Sequence, residues 1–98
     1  MSTIRDEVDP VTDRVHDTSW SANLERDFHA EDMSLVVEQA LEAVSHTTSG
    51  YHVNLVTHGV HGHPETYLFD ALRERDGELR IEYVEQCGCG GHVSRVHV

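Results

Sequence analysis

The run DMSLVVEQALEAVSH–TTSG–YHVNLVTH, residues 32–58, changes its hydrophobic period partway along. In residues 32–46, Met33, Val36, Val37, Ala40, Leu41 and Val44 recur at helical spacing, with Glu38 and Glu42 on the outer side. That spacing predicts a helix, capped by Asp32 or Ser34, whose short side chains can accept a hydrogen bond from the first free backbone N–H groups. The Thr-Thr-Ser-Gly stretch at 47–50 breaks the pattern. From Tyr51 to His58 the period falls to two: Tyr51, Val53 and Leu55 on one face, His52, Asn54 and Val56 on the other. A helix followed by a half-buried strand is one half of a strand-helix-strand unit.

Working outward, DTSWSANLE at 17–25 supplies the missing strand, because Trp20, Ala22 and Leu24 alternate with Ser21 and Asn23. After the glycine- and histidine-rich turn Gly59 to His63, Pro64 and Glu65 suit the first turn of a helix. Its inner face would be Leu68, Ala71 and Leu72. Arg73 and Arg75 oppose the C-terminal dipole, and Gly77 ends the element. Leu79, Ile81 and Tyr83 then alternate with Arg80 and Glu82, and HVSRVHV at 92–98 alternates again, the two strands being joined across CGCGG at 87–91.

The order strand, helix, strand, helix, strand, strand predicts a small α/β sandwich on a four-stranded mixed sheet: a parallel pair across the first helix, and a closing hairpin. Thioredoxin-like domains show the same order, an analogy of topology and not of chemistry. Residues 1–16 show no sustained period and carry Pro10 among acidic residues, which reads as a flexible acidic N-terminal arm before a single domain at 17–98.

The chain carries 18 Asp plus Glu against 7 Lys plus Arg, a formal charge of −11, and all seven basic residues are arginine. Such a composition suits molar salt, where the Debye length falls to ~3 Å and repulsion between carboxylates is nearly abolished. It argues against nucleic acid as a partner, which calls for clustered cations. No apolar run approaches the ~18 to 20 residues of a membrane span. The N-terminus lacks the basic-then-apolar pattern of a secretion signal, so a cytoplasmic protein is expected.

Cys87-Gly88-Cys89-Gly90-Gly91-His92 is the most unusual segment. Its glycines free the backbone and admit close approach by another molecule. In the plainest reading it is a tight hairpin loop whose cysteines pack as small apolar groups. Three chemistries compete with that reading. Cys87, Cys89 and His92 offer two thiolates and an imidazole to an ion such as zinc or copper, although C-x-C is not the usual zinc spacing. His58, His61 and His63 form a second candidate ligand set; if strands two and three run in the same direction, the loops that follow them share one rim. A Cys87–Cys89 disulfide would close a very small, strained and easily reduced ring. Covalent modification is the third chemistry: a glycine Cα radical is delocalised over the flanking amides without side-chain crowding, and a neighbouring thiol can trap it. No motif assigns catalytic roles, and Ser94 with His92 and His97 forms no triad, since His97 would point away from the other two.

CGCGG, together with VTDRVHDTSWSANLE and TTSGYHVNLVTHG on a small acidic chain, resembles the haloarchaeal CGCGG family over roughly residues 11–98. That resemblance implies a ribosomally made protein altered after translation by a radical S-adenosylmethionine (SAM) maturase at Cys87, Gly88, Cys89, Gly90 and Gly91. The protein would be acted upon and would not itself be an enzyme. A strand ending at Val98 is also expected to offer a free sheet edge for a homodimer.

Overall fold

The computed structural model describes residues 12, 14–86 and 90–98, the side chains of Asp27 and Phe28 excepted. Four strands, β1 (Trp20–Leu24), β2 (His52–Thr57), β3 (Arg80–Gln86) and β4 (His92–His97), form one mixed sheet in the order β1-β2-β4-β3. β1 and β2 are parallel, while β4 runs antiparallel to both β2 and β3. Three helices accompany the sheet: α1 (Asp27–Glu31), α2 (Met33–Ser45) and α3 (Phe69–Arg75). Among the described residues, no helix is long and apolar enough to cross a membrane.

The alternation read from the sequence becomes a two-layer arrangement. Ala22, Leu24, Val53, Leu55 and Val96 are all buried beneath Val36, Ala40, Ala43, Leu68, Phe69 and Leu72 of the helical layer. Each fully buried Leu or Val contributes about 1.5–3 kcal/mol of hydrophobic stabilisation. On the opposite face Ser21, Asn23, Arg80 and Glu82 are exposed and Asn54, Arg95 and His97 half-buried, so the outer side of the sheet is mostly polar, interrupted by the half-buried Val56–Val93 pair. Arg95 Nε–H donates to Asn54 Oδ1 at 2.9 Å across the β2–β4 pair. His97 Nε2 lies 2.9 Å from Glu82 Oε1 across β3–β4, and that hydrogen bond is the main reason the Glu82 carboxyl sits below its ordinary value.

Several local expectations are refined. Asp32 is the cap of α2, its Oδ1 accepting from Leu35 N–H at 3.2 Å. Met33, expected on the inner face, is exposed, whereas Leu35 and Gln39 are buried. Gln39 is drawn inward because its side-chain oxygen bonds the buried imidazole of His29. The single helix expected from Pro64 to Arg75 divides into a 3₁₀ turn, Pro64–Thr66, and α3. His63 Nδ1 accepts the Glu65 N–H and so caps the first of these. α1 and the 3₁₀ turn Gly59–His61 were not foreseen. β3 reaches Gln86 through an irregularity between Tyr83 and Glu85.

The terminal strand is not a sheet edge. β4 pairs with β2 on one side and β3 on the other, so the edge positions belong to β1 and β3, and the expected dimer cannot form through β4. Residues 1–11 and 13 of the predicted arm lie outside the described residues. His16, at its end, is tied to the fold. Its N–H donates to His46 O at 2.7 Å, its carbonyl accepts from Thr48 N–H at 3.0 Å, and its ring stacks on Trp20 with centroids 3.7 Å apart.

Candidate functional site

The mixed topology gathers three chain segments on one rim of the sheet. β1 and β2 are parallel, and β2 and β3 share a direction because each is antiparallel to β4. The residues after β1 (Glu25 and Arg26), after β2 (His58 to His63) and before β4 (Gly90 and Gly91) therefore lie together. The conditional meeting of the two loops holds: a Cβ built on Gly59 would stand 3.1 Å from the Gly90 carbonyl carbon and closer still to its oxygen. Only a residue without a side chain allows that approach of backbone to backbone.

Gly90 sits at this contact with φ +96°, a conformation that favours glycine. Its carbonyl also accepts from Gln86 Nε2 at 3.2 Å. The two motif glycines that are described have opposite surroundings. A Cβ on Gly90 would meet nothing within 4 Å. One on Gly91 would collide with the Glu25 carboxylate and stand 2.8 Å from Thr57 O. Gly91 is thus buried in a cradle made by the ends of β1 and β2, whereas the side-chain position of Gly90, which is half-buried, meets no described residue beyond its chain neighbours.

The histidines of the rim divide by role. His58 Nε2–H donates to Arg26 O at 3.1 Å and His61 Nε2–H to His29 O at 2.6 Å, so both fasten the loop after β2 to the segment after β1. His29 itself is buried: its Nδ1 accepts the Arg26 N–H at 3.1 Å and its Nε2–H is directed at Gln39 Oε1. Burial pushes its pKa below the usual 6.5 against the opposing effect of the Gln39 bond, and nearby His58, Arg26 and His61 push it further down. His63 and His92 do come together. Their ring centroids are 5.3 Å apart, Tyr83 packs against His63 at 4.2 Å, and the Tyr83 hydroxyl is hydrogen-bonded to His92 Nδ1 at 2.8 Å.

Of the residues singled out from sequence, Cys87, Gly88 and Cys89 lie outside the described residues. His58, His61, His63, Gly90, Gly91 and His92 all lie on the rim. Among the described residues, no group of three or more His, Cys, Asp or Glu side chains is arranged to hold a metal ion. Sequence reasoning missed Glu25, Thr57, Tyr83 and Gln86. Each looks like an ordinary strand-end residue until the strand order is known, although Glu25 and Thr57 could have been nominated as the ends of a parallel pair.

A family described as "Putative radical SAM target protein" matches residues 1–98. The chain belongs to that family. No curated protein matches it, and no solved structure does. A radical SAM target has a radical SAM enzyme as its partner.

Proposed function

We propose that a radical SAM enzyme alters this ribosomally made protein within Cys87–Gly91 by joining a cysteine sulfur to a glycine Cα. The observation that carries this reading is Gly90, whose side-chain position meets no described residue beyond its chain neighbours, at the end of the β3–β4 connection. In the step, SAM takes up one electron from the enzyme and splits into methionine and a 5′-deoxyadenosyl radical. That radical removes one hydrogen atom from the glycine Cα and becomes 5′-deoxyadenosine. The cysteine thiol gives its proton to solvent, its sulfur bonds the carbon radical, and the remaining electron returns to an iron–sulfur cluster of the enzyme. The chain loses two hydrogens, and one SAM is consumed for each bond.

The setting we propose is a cytoplasm of high salt, as in halophilic archaea, on the grounds of a formal charge of −11 and an all-arginine basic set. The direct test is the intact mass of the protein isolated from its own host. A loss of two hydrogens that survives reducing agent is the expected result. A loss reversed by reductant would mean a disulfide. An unaltered mass with bound zinc or copper would favour the metal reading over this one.

A further inference from the structure

We propose that β3 is a docking edge for a second copy of this chain, the two β3 strands pairing antiparallel about a two-fold axis at Ile81. The inference is independent of the modification chemistry. β3 pairs with β4 on one side, and among the described residues no strand lies on its other side. An unpaired strand edge is a template for another chain. The direction of its main-chain groups follows from the other end of the sheet. Val98 N–H donates to Tyr51 O at 2.9 Å, so alternation along β4 turns residues 98 and 96 toward β2 and residues 97 and 95 toward β3. Those two stand opposite Arg80 and Glu82. The N–H and C=O of Arg80 and Glu82 are therefore engaged by β4, and those of Ile81 and Tyr83 point to the outer edge.

Side chains select the occupant and the register. Arg80 and Glu82 are exposed on the outer face; Leu79, Ile81 and Tyr83 are half-buried on the inner one, beside a helix, α2, that lies against β1 and β2. A two-fold axis that keeps the apolar faces on one side must pass through a residue. Centred on Ile81, it sets Arg80 opposite the partner's Glu82, Ile81 against the partner's Ile81, and Leu79 against the partner's Tyr83. The Ile81 residues would exchange both main-chain hydrogen bonds. The flanking Arg80–Glu82 pairs then occupy the non-hydrogen-bonded positions, where opposing side chains stand closest and opposite charges attract most. Centring on Arg80 or on Glu82 instead brings identical charges face to face. The self-matching stretch is bounded by a turn, in which Leu79 N–H donates to Asp76 O at 3.2 Å, and by the irregularity after Tyr83. β1, the other edge, offers Ser21 and Asn23 on its outer face and no charge to fix a register. Pairing through β3 would make one continuous sheet and join the Leu79, Ile81 and Tyr83 strips of the two copies. A formal charge of −11 on each copy opposes this unless salt screens it, so the dimer belongs to molar salt.

The test is sedimentation velocity of the full chain in molar potassium chloride over a range of concentrations, with amide hydrogen exchange read by nuclear magnetic resonance on the same samples. A reversible shift from monomer to dimer is expected, and nothing larger, because a two-fold contact closes on itself. The Ile81 and Tyr83 amides should exchange slowly in the dimer and fast in the monomer, while those of Arg80 and Glu82 stay slow in both. Ile81→Pro removes an outward N–H and leaves the β3–β4 ladder intact; it should abolish the dimer while circular dichroism shows a folded chain. Arg80→Glu, which sets like charges opposite at both pairs, should weaken association about tenfold and serves if the proline variant does not fold. A monomer at every concentration would overturn the proposal. So would protection of Ile81 and Tyr83 that is independent of concentration, which would mean that the chain covers its own edge, or a dimer unaffected by Arg80→Glu.

Discussion

Replacing Gly59 with alanine tests whether the two loops of the rim are joined as described. The backbone angle of Gly59 lies outside the left-handed region, so alanine meets no conformational strain there and the whole cost is steric. The new methyl would stand 3.1 Å from the Gly90 carbonyl carbon and would overlap its oxygen. Both sides of the contact are main chain, so no side chain can swing away. The loops must separate, at the ~1–3 kcal/mol typical of overpacking. For a domain of this size, a loss of about 2 kcal/mol lowers Tm by roughly 8–16 °C. Thermal unfolding followed by circular dichroism measures that shift, and the Gly90 and Gly91 amide resonances report the parting of the loops. Gly50→Ala is the control. Its methyl meets nothing within 4 Å, and its φ of +97° imposes strain alone, costing about 1–2 kcal/mol. The rim resonances should stay in place in that variant. Unchanged Tm and unmoved Gly90 resonances in Gly59→Ala would refute the loop contact.

Three further outcomes follow from the same structure. Leu55→Ala empties a fully buried site in the central sheet and should cost about 2–5 kcal/mol in urea unfolding; a loss under ~1 kcal/mol would contradict the packing of β2 beneath the helices. Tyr83→Phe removes the hydroxyl partner of His92 and should cost about 0.5–1.5 kcal/mol, with a shift of the His92 ring resonances as the specific readout and an unmoved spectrum as the contrary result. His29, held neutral by burial, binds protons less readily folded than unfolded, so its contribution to stability is complete above the unfolded pKa near 6.5 and is lost as pH falls below it. Titration of the His29 imidazole by nuclear magnetic resonance should give a value below 6.5, and protonation at or above that value would refute the buried Arg26–His29–Gln39 arrangement.

Much of this molecule is written along the chain. Alternation at Trp20–Leu24, Val53–Leu55 and His92–His97 and helical spacing at Val36–Val44 specify element types, because each pattern must put its apolar side on one surface. Position along the chain is a poor guide in other respects. His58 and His61 read as ligands because imidazoles close in sequence look like a set, yet each donates to a carbonyl in the segment after β1, more than thirty residues earlier. Val98 reads as an edge because it is last, while hydrogen bonding places β4 between two neighbours.

The difference between Gly90 and Gly91 is of this second kind. In sequence they are adjacent and equivalent. In space the side-chain position of one meets no described residue beyond its chain neighbours, and the other rests against the ends of two strands that the chain left more than thirty residues before. Local patterning determined which elements exist and where reactive atoms occur, because propensity and amphipathicity act over a few residues. Which of those atoms is open and which is walled in depends on close packing between distant segments. That was decided only when the parallel β1–β2 pair and the β3–β4 hairpin brought three loops to one rim.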